Sequence, residues 1–198
     1  MRVMFFSGFI LSFGLIVNCA SKKEDNGLTA AVALAQAGAY TNAYNGTVTD
    51  VNGNTWMKCT VGQSYNSKQD DCTGTGTPTV YGARSVSYCT IANGCTDAAL
   101  ANSGPAYDEC NNLSLAGISG WRLPAQAELV ALIGGQTRSS FLYFFPQTPD
   151  DKPFWGRDEN SAGSESAYTV SFAESTMSQV GTANKVTGKS YVRCIKPK

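Results

Sequence analysis

The stretch Gly120-Trp121-Arg122-Leu123-Pro124 decides the fold, because it joins a short extended segment to the start of a helix. Trp121 and Leu123 alternate with a polar residue, and this period of two predicts that both side chains enter the core. Pro124 has a backbone angle suited to the first turn of a helix. The stretch therefore predicts a strand-to-helix corner, which is a fold signature rather than an active site.

Arg122 stands between two apolar neighbours, so its guanidinium needs hydrogen-bond acceptors. Glu128 follows in the predicted helix and is the candidate partner. We expect a structural ion pair between the two side chains; contact of Arg122 with a ligand is the alternative. The helix has an apolar face formed by Leu129, Leu132 and Ile133, and it ends at Gly134-Gly135.

Apolar periodicity on both sides of this corner predicts an α+β fold. A first helix begins at Ser103-Gly104-Pro105, carries Tyr107, Cys110 and Leu113 at helical spacing, and ends at Gly117. After the second helix we predict a loop over residues 141–146 and then strands over residues 153–156, 166–172 and 190–195. The expected architecture is two helices packed on antiparallel strands, with long loops and disulfides.

Asn52-Gly53 lies between two strand-like segments and is a strong signal for a two-residue hairpin turn. A calcium loop that starts at Asp50 is the alternative. Such a loop requires Gly at its sixth position and Glu at its twelfth, where this chain has Thr55 and Val61. The hairpin is therefore the preferred interpretation.

The N-terminus has the pattern of an export signal. Arg2 precedes an apolar run over residues 3–17, which is too short to span a bilayer. The run ends at Leu15-Ile16-Val17-Asn18-Cys19, which resembles a lipobox. We expect cleavage before Cys19 and attachment of fatty-acyl chains such as palmitate to this residue; an ordinary signal cut near Ala20 is the alternative.

The predicted organisation is a signal peptide over residues 1–18, a lipidated N-terminus and tether over residues 19–45, and one domain over residues 46–198. The expected location is the bacterial envelope, with the lipid anchored in the outer membrane or at the cell surface. The membrane is therefore the first predicted partner. The oligomeric state is left open.

Composition restricts the possible functions. The chain has 15 Lys+Arg and 15 Asp+Glu, so it lacks the broad positive field that nucleic-acid binding requires. It contains no histidine, which excludes a Ser-His-Asp triad and a His-ligated zinc site. The adjacent acids Asp150-Asp151 and Asp158-Glu159 are interpreted as solvated loop residues. We predict no catalytic residue, no metal site and no cofactor.

Six cysteines remain once Cys19 is assigned to lipid, an even number that is typical of a disulfide framework in an exported domain. These six residues are Cys59, Cys72, Cys89, Cys95, Cys110 and Cys194. Cys59 with Cys72, and Cys89 with Cys95, would close short loops in a polar segment that has little apolar surface of its own. The count alone allows many other connectivities.

Several motifs, taken in order, resemble the Lcl C-terminal domain family, a bacterial domain of unknown function named after a collagen-like surface adhesin. The motifs are Asn54-Thr55-Trp56-Met57-Lys58-Cys59, Tyr107-Asp108-Glu109-Cys110-Asn111-Asn112-Leu113, residues 115–124 with Glu128-Leu129, Phe154-Trp155, residues 167–172, and Val192-Arg193-Cys194-Ile195. The Trp-Arg-Leu-Pro and Arg-Cys landmarks are also similar to those of formylglycine-generating enzymes and other C-type-lectin-like folds.

The resemblance implies a C-type-lectin-like fold in which the last strand lies beside the first helix and Cys110 pairs with Cys194. It assigns a group of residues to the fold motif: Gly120, Trp121, Arg122, Leu123, Pro124, Glu128 and Arg193. Formylglycine-generating enzymes use a reactive cysteine pair shortly before the terminal motif. This chain has no cysteine between Trp121 and Cys194, so the resemblance does not extend to that chemistry.

We therefore expect a non-catalytic envelope lipoprotein whose domain binds a ligand at the cell surface. The family's adhesin implies a sulfated host polysaccharide, and a host extracellular-matrix protein is the other candidate. The candidate ligand-binding residues are Lys152, Trp155 and Arg157, although neighbouring acids offset their charge. For Trp155, core packing is the preferred interpretation and ligand contact is the alternative. A partner-docking or structural lipoprotein without a host ligand, and a degenerate formylglycine-generating-type enzyme, are the alternative functions.

Overall fold

The computed structural model describes residues 40–77, 80–90, 103–160 and 164–198. Its elements, in chain order, are β1 Tyr40–Asn42, β2 Thr47–Asp50, β3 Thr55–Met57, β4 Ser64–Asn66, β5 Asp71–Thr73, α1 Pro105–Asn111, α2 Gln126–Ile133, α3 Arg138–Phe144, β6 Phe154–Glu159, β7 Ser166–Val170, β8 Val180–Asn184 and β9 Ile195–Lys196. The strands form antiparallel sheets in the orders β1-β2-β3-β9, β4-β5 and β6-β7-β8. The α+β class is confirmed; the C-type-lectin-like assignment stays a prediction.

The hairpin predicted at Asn52-Gly53 connects β2 to β3. The Asp50 carboxylate accepts hydrogen bonds from the backbone N–H groups of Asn52 and Asn54 at 2.9 and 3.0 Å. It also accepts from Trp56 Nε1 at 2.9 Å and from Asn54 Nδ2 at 3.1 Å. Because donors of the hairpin itself surround both carboxylate oxygens, Asp50 closes the turn and is not available as a calcium ligand.

The first strand lies outside the predicted domain boundary. Tyr40 at the start of β1 is buried, donates its hydroxyl to Leu132 O, and packs its ring on Phe144 and Phe145. The tether predicted to extend to residue 45 therefore ends at least six residues earlier than the sequence indicated, because a single aromatic side chain anchors the segment in the core. Cys19 and the predicted signal peptide lie outside the described residues.

The helix α3 stands where we predicted a loop, so the prediction of two helices was wrong. Thr137 Oγ1 accepts a hydrogen bond from Ser140 N–H at 3.3 Å and caps the helix. Phe141 and Phe144 form its buried face. The residues from Phe141 to Phe145 are all apolar or aromatic, so no helical period is visible in this part of the sequence. Only packing against the rest of the core selects the helix.

Element ends also differ from the prediction. α1 ends at Asn111 rather than at Gly117, because Leu115 and Ile118 form a tight paired turn of their own. β8 was not predicted, since its residues are largely exposed and do not alternate. The strand expected over residues 190–195 consists mainly of isolated bridges, and only Ile195–Lys196 forms a regular strand.

The Gly-Trp-Arg-Leu-Pro stretch forms the predicted corner. Trp121 and Leu123 are buried, and the backbone of Arg122 pairs with Ile195 in both directions at 2.9 and 3.0 Å. The Arg122 guanidinium donates to both Glu128 carboxylate oxygens at 2.8 and 2.6 Å, so the predicted ion pair is present. Glu128 also accepts from the backbone N–H of Ala125 at 2.6 Å, which completes the N-terminus of α2.

Strand β6 packs directly on the same helix end. Asp158 accepts a hydrogen bond from Gln126 N–H at 2.6 Å, and Arg157 N–H donates to Pro124 O at 2.7 Å. A side chain at Gly156 would place its Cβ 3.0 Å from Gln126 N. The absence of a side chain at Gly156 therefore allows α2 to approach β6 closely.

Two predicted disulfides are confirmed: Cys59–Cys72 and Cys110–Cys194. Cys89 is disulfide-bonded as well, and its predicted partner Cys95 lies outside the described residues. The Cys110–Cys194 bond closes a loop with a sequence separation of 84 residues. In the chain-entropy model, a loop of this length stabilises the fold by about 4 kcal/mol.

Arg193 is completely buried. It donates to Met57 O at 3.0 Å, to Lys58 O, to Thr60 Oγ1 at 3.3 Å and to Thr148 Oγ1 at 2.7 Å. Its guanidinium also lies near three aromatic rings, at 4.8–6.0 Å: Phe141, Phe145 and Phe154. Desolvation by burial lowers the pKa of Arg193 to about 9, so it remains charged at neutral pH.

We predict that Arg193→Met lowers the free energy of unfolding by about 3 kcal/mol, because it leaves buried carbonyl and hydroxyl acceptors without their donor. Denaturant titration followed by tryptophan fluorescence measures the change. Arg157→Met is the matched control, since the Arg157 side chain is 47% exposed. Equal stability of the two variants would contradict a central role for Arg193.

The Arg122–Glu128 pair predicts a pH dependence of stability. Burial raises the pKa of Glu128, but the hydrogen bonds from Arg122 and Ala125 outweigh it and hold the pKa below its ordinary value of 4.5. Between the folded and unfolded pKa values the unfolded chain therefore binds more protons, so this contribution is complete at neutral pH and is lost as the pH falls below about 4.5.

Glu128→Gln is expected to destabilise the protein by about 1 kcal/mol at pH 7, with a smaller difference at pH 3. Urea titrations at the two pH values check this. Glu165→Gln, which changes an exposed glutamate, is the control and should show no such pH-dependent difference. A Glu128→Gln effect that stays constant with pH would exclude the ion pair as its source.

Candidate functional site

Two grooves meet at Asp150, in the loop that leads from α3 to β6. The hairpin groove has a volume of about 360 Å³ and lies between this loop and the β7–β8 hairpin; it is lined by Asp150, Asp151, Lys152, Pro153, Thr169, Ser171, Ala173, Thr176, Gln179, Val180 and Gly181. The helix groove has a similar volume of about 360 Å³ and is lined by Tyr81, Arg138, Leu142, Pro146, Gln147, Thr148 and Asp150. Asp150 is thus a wall of both grooves.

A larger depression of about 590 Å³ lies beside α1 and is lined by residues between Pro105 and Ser114. These residues all belong to α1 and the turn that follows it. The depression is therefore a shallow surface on one helix and not a cleft between two elements. Its acid Glu109 is already paired with Arg84 at 2.7 Å. We therefore assign the candidate site to the two grooves at Asp150.

The loop between the grooves is held in place from several directions. Gln147 has a left-handed backbone with φ 49°, a conformation that costs energy for a residue other than glycine. Its carbonyl accepts from Gln63 Nε2 at 2.8 Å, and its side-chain Oε1 accepts from the backbone N–H of disulfide-bonded Cys72 at 3.1 Å. The next residue, Thr148, receives the hydrogen bond from buried Arg193. The core therefore enforces the shape of this loop.

Tyr81, on the opposite wall of the helix groove, also has a left-handed backbone, with φ 45°. Its N–H donates to Thr77 O at 2.9 Å. A Cβ atom at Gly74 would lie 2.1 Å from Tyr81 O, so only glycine allows the two segments to approach this closely. Two residues in unfavourable conformations thus line one groove, and strain of this kind is concentrated at ligand-binding and switch regions of proteins.

Charges along the grooves are paired within the protein. Arg138 lies 3.4 Å from Asp150 and donates to Thr148 O at 2.7 Å and to Phe172 O. Lys152 lies 3.0 Å from Asp151. These two cations and two carboxylates are the charged residues that line the grooves, so their formal charges cancel.

Asp151 accepts a second hydrogen bond, from the Tyr191 hydroxyl at 2.8 Å. Burial raises the pKa of Asp151, but the hydrogen bonds from Tyr191 and Lys152 outweigh it and lower the pKa below its ordinary value. The pKa of Tyr191 is raised by burial and by this bond to a carboxylate. Asp151 is therefore a carboxylate at neutral pH and provides hydrogen-bond acceptors at the edge of the hairpin groove.

The ligand-binding residues predicted from the sequence are not brought together. Lys152 lines the hairpin groove, but Trp155 is completely buried and donates its Nε1–H to Val86 O at 2.8 Å, so it is the core residue that the preferred interpretation expected and not a ligand contact. Arg157 is exposed but lines neither groove. The pairing of β6 with β7 is irregular between Trp155 and Glu159, so the side chains of Trp155 and Arg157 do not share one face as in a regular strand.

The two pairs of adjacent acids differ in their surroundings. Asp150 and Asp151 lie in a loop and are partly exposed, as predicted, and they also line the candidate site. Asp158 caps α2, and Glu159 lies 2.7 Å from buried Lys185. The sequence had no signal for Tyr81, Gln147 or the groove as a whole, because these residues come from separate loops.

The groove residues provide hydrogen-bonding groups rather than reactive ones. Ser171 Oγ and Thr176 Oγ1 bond to each other at 2.7 Å, and no histidine exists in the chain to activate either hydroxyl. Within the described ranges, no group of three or more Cys, Asp or Glu side chains is arranged to hold a metal ion. The described helices include none that is long and apolar enough to cross a membrane.

Comparison with known proteins gives the family of the chain. Neither the curated proteins nor the solved structures contain a match to it. The family described as the Lcl C-terminal domain matches residues 46–196, which covers the hairpin, the Gly-Trp-Arg-Leu-Pro corner, both grooves and the terminal Arg193-Cys194 pair. This chain therefore belongs to the Lcl C-terminal domain family.

Proposed function

We propose that the protein is a surface-associated, non-catalytic binding module whose ligand occupies the grooves at Asp150. Membership of the Lcl C-terminal domain family, a domain of unknown function, suggests a surface-associated protein. The observation that carries the binding role is the strained loop between the two grooves, which Arg193, Gln63 and the Cys59–Cys72 disulfide region hold in one conformation.

A loop held in this way favours binding because little conformational freedom is lost when a ligand orders it. Ordering a side chain at an interface costs about 0.5–1.5 kcal/mol, and a rigid site avoids part of that cost. The groups presented by the grooves are hydroxyls, an amide, paired charges and an aromatic ring. These groups suit recognition of a polysaccharide chain or an extracellular-matrix protein, the two ligand classes proposed for this module.

The absence of histidine in the chain supports a role without catalysis, since the hydroxyls of the grooves have no such base beside them. The proposed anchor is a lipid on Cys19, with the signal peptide over residues 1–18 removed on export. A lipid at this position would hold the domain at the envelope surface, with the segment up to Tyr40 as the connection. The proposed partners are therefore the membrane lipid and an external ligand.

We expect Tyr81→Ala to weaken ligand binding on the order of tenfold, because it removes an aromatic ring from the wall of the helix groove. The full-length chain in detergent is tested on immobilised polysaccharides and matrix proteins. Tyr143→Ala is the matched control, since Tyr143 is 65% exposed and lines neither groove. Equal binding by the two variants would move the ligand site elsewhere.

Failure of the unmodified chain to bind any member of that panel would contradict the proposed external ligand. The protein would then be better explained as an envelope lipoprotein that docks onto another envelope protein. Reduction of the disulfides provides a second control, because Cys72 supports Gln147 at the groove and binding should be lost with it.

Cys19→Ala is expected to move the protein from the membrane fraction to the soluble fraction and to abolish labelling by a palmitate analogue. The reason is that stable anchoring requires the acyl chains carried by this residue. Fractionation of cells that express the variant checks the result, with Ala20→Ser as the control. Unchanged membrane retention and labelling in Cys19→Ala would show that the lipid is not on this residue.

A further inference from the structure

We infer that the ligand of the grooves is an uncharged, hydroxyl-rich polysaccharide that crosses Asp150 from the helix groove into the hairpin groove. This inference rests on the proposed binding function and adds the chemical class of the ligand and its path. It differs from the sulfated polysaccharide expected from the sequence resemblance. Three features of the grooves support it: their shared wall at Asp150, their charge, and the side chains on their walls.

The two grooves are adjacent and share Asp150 as a wall residue. Each has a volume of about 360 Å³, near the lower end of the range of about 300–1,000 Å³ for small-molecule sites. Asp150 borders both, and its carboxylate lies 3.4 Å from Arg138. A ligand that fills both grooves must therefore be an extended chain that passes over the Arg138–Asp150 pair.

The charge of the grooves disfavours a sulfated chain. Arg138 already faces Asp150 and donates to two backbone carbonyls, and Lys152 already faces Asp151. A sulfate group would have to compete with these internal partners and would approach two carboxylates, a repulsion that opposes binding. An uncharged hydroxyl has no such cost, and it can donate to either carboxylate.

The walls combine polar and apolar surfaces in the way that a sugar chain requires. Gln179 is exposed and presents an amide, while Ser171 and Thr176 present hydroxyls beside it. Val180 is 44% exposed next to these polar groups, and Tyr81 offers a ring in the other groove. Sugar rings have hydroxyl edges and apolar C–H faces, so both kinds of surface find a counterpart here.

The test uses the full-length chain in detergent on neutral glucans, mannans, galactans and xylans, each beside its sulfated form, and on matrix proteins. We expect at least one neutral polysaccharide to bind, with an affinity that increases with chain length and changes less than twofold between 50 and 500 mM salt, since no ion pair is formed with the ligand. Tighter, salt-sensitive binding of the sulfated forms would overturn the inference but leave the binding function intact.

Binding to matrix proteins alone would also overturn the inference, because it would assign the grooves to a protein ligand. No binding to any member of the panel would reject the proposed function together with the inference.

Two variants test the location and the role of charge. Gln179→Ala should weaken binding of the neutral chain by roughly fivefold, the equivalent of one lost hydrogen bond, whereas Gln69→Ala, at another exposed glutamine, should have no effect. Asp151→Asn should increase binding of the sulfated form, because it leaves Lys152 without its carboxylate. Asp108→Asn, on the exposed face of α1, is the control for that change. Equal effects in the paired variants would place the ligand elsewhere.

Discussion

The rest of the structure depends on the buried guanidinium of Arg193. This side chain donates to Met57 and Lys58 at the end of β3, and to Thr148 in the loop before β6. Among the described residues it has no carboxylate partner; neutral oxygens and aromatic faces stabilise its charge instead. Because the next residue, Cys194, is bonded to Cys110 in α1, one short segment links the end of β3, a helix and the loop at the candidate site.

The Gly-Trp-Arg-Leu-Pro corner also links segments that are distant in the chain. Its backbone pairs with Ile195, two residues after Arg193, and its side chains organise the N-terminus of α2. The buried cation and the helix-capping ion pair therefore belong to two chain segments that are paired with each other through Arg122 and Ile195. This explains why the family motif consists of fold residues and why the candidate site lies away from it.

The candidate site lies at a loop that these buried residues hold in place. The loop over residues 145–153 cannot relax into a lower-energy conformation, because Gln147 is bonded to two distant segments and Thr148 to the core. The disulfide-bonded Cys72 helps to hold the loop in its strained conformation. The charged side chains that line the grooves are already paired with each other. A surface of this kind fits the proposed recognition of an uncharged chain more closely than electrostatic attraction of an anionic one.

Local signals in the sequence were enough for several features. Asn52-Gly53 specified the hairpin, Arg122 with Glu128 specified the ion pair, and the short spacing of Cys59 and Cys72 indicated their disulfide. In each case the partners lie within a few turns or one loop of each other, so their chemistry is visible in a single window. The pairing of Cys110 with Cys194 came from the family resemblance, since no local signal connects residues so far apart.

Tertiary structure alone decided the remaining features. The strand at Tyr40 and the helix α3 depend on packing against segments that are distant in the chain. The grooves at Asp150 combine Tyr81, Gln147 and Gln179, which come from three loops and share no sequence pattern. The sequence by itself determined the class of fold and its main corner, because those follow from local periodicity and capping. Only the tertiary structure determined the candidate site, because its shape and its charge balance arise from contacts between residues far apart in the chain.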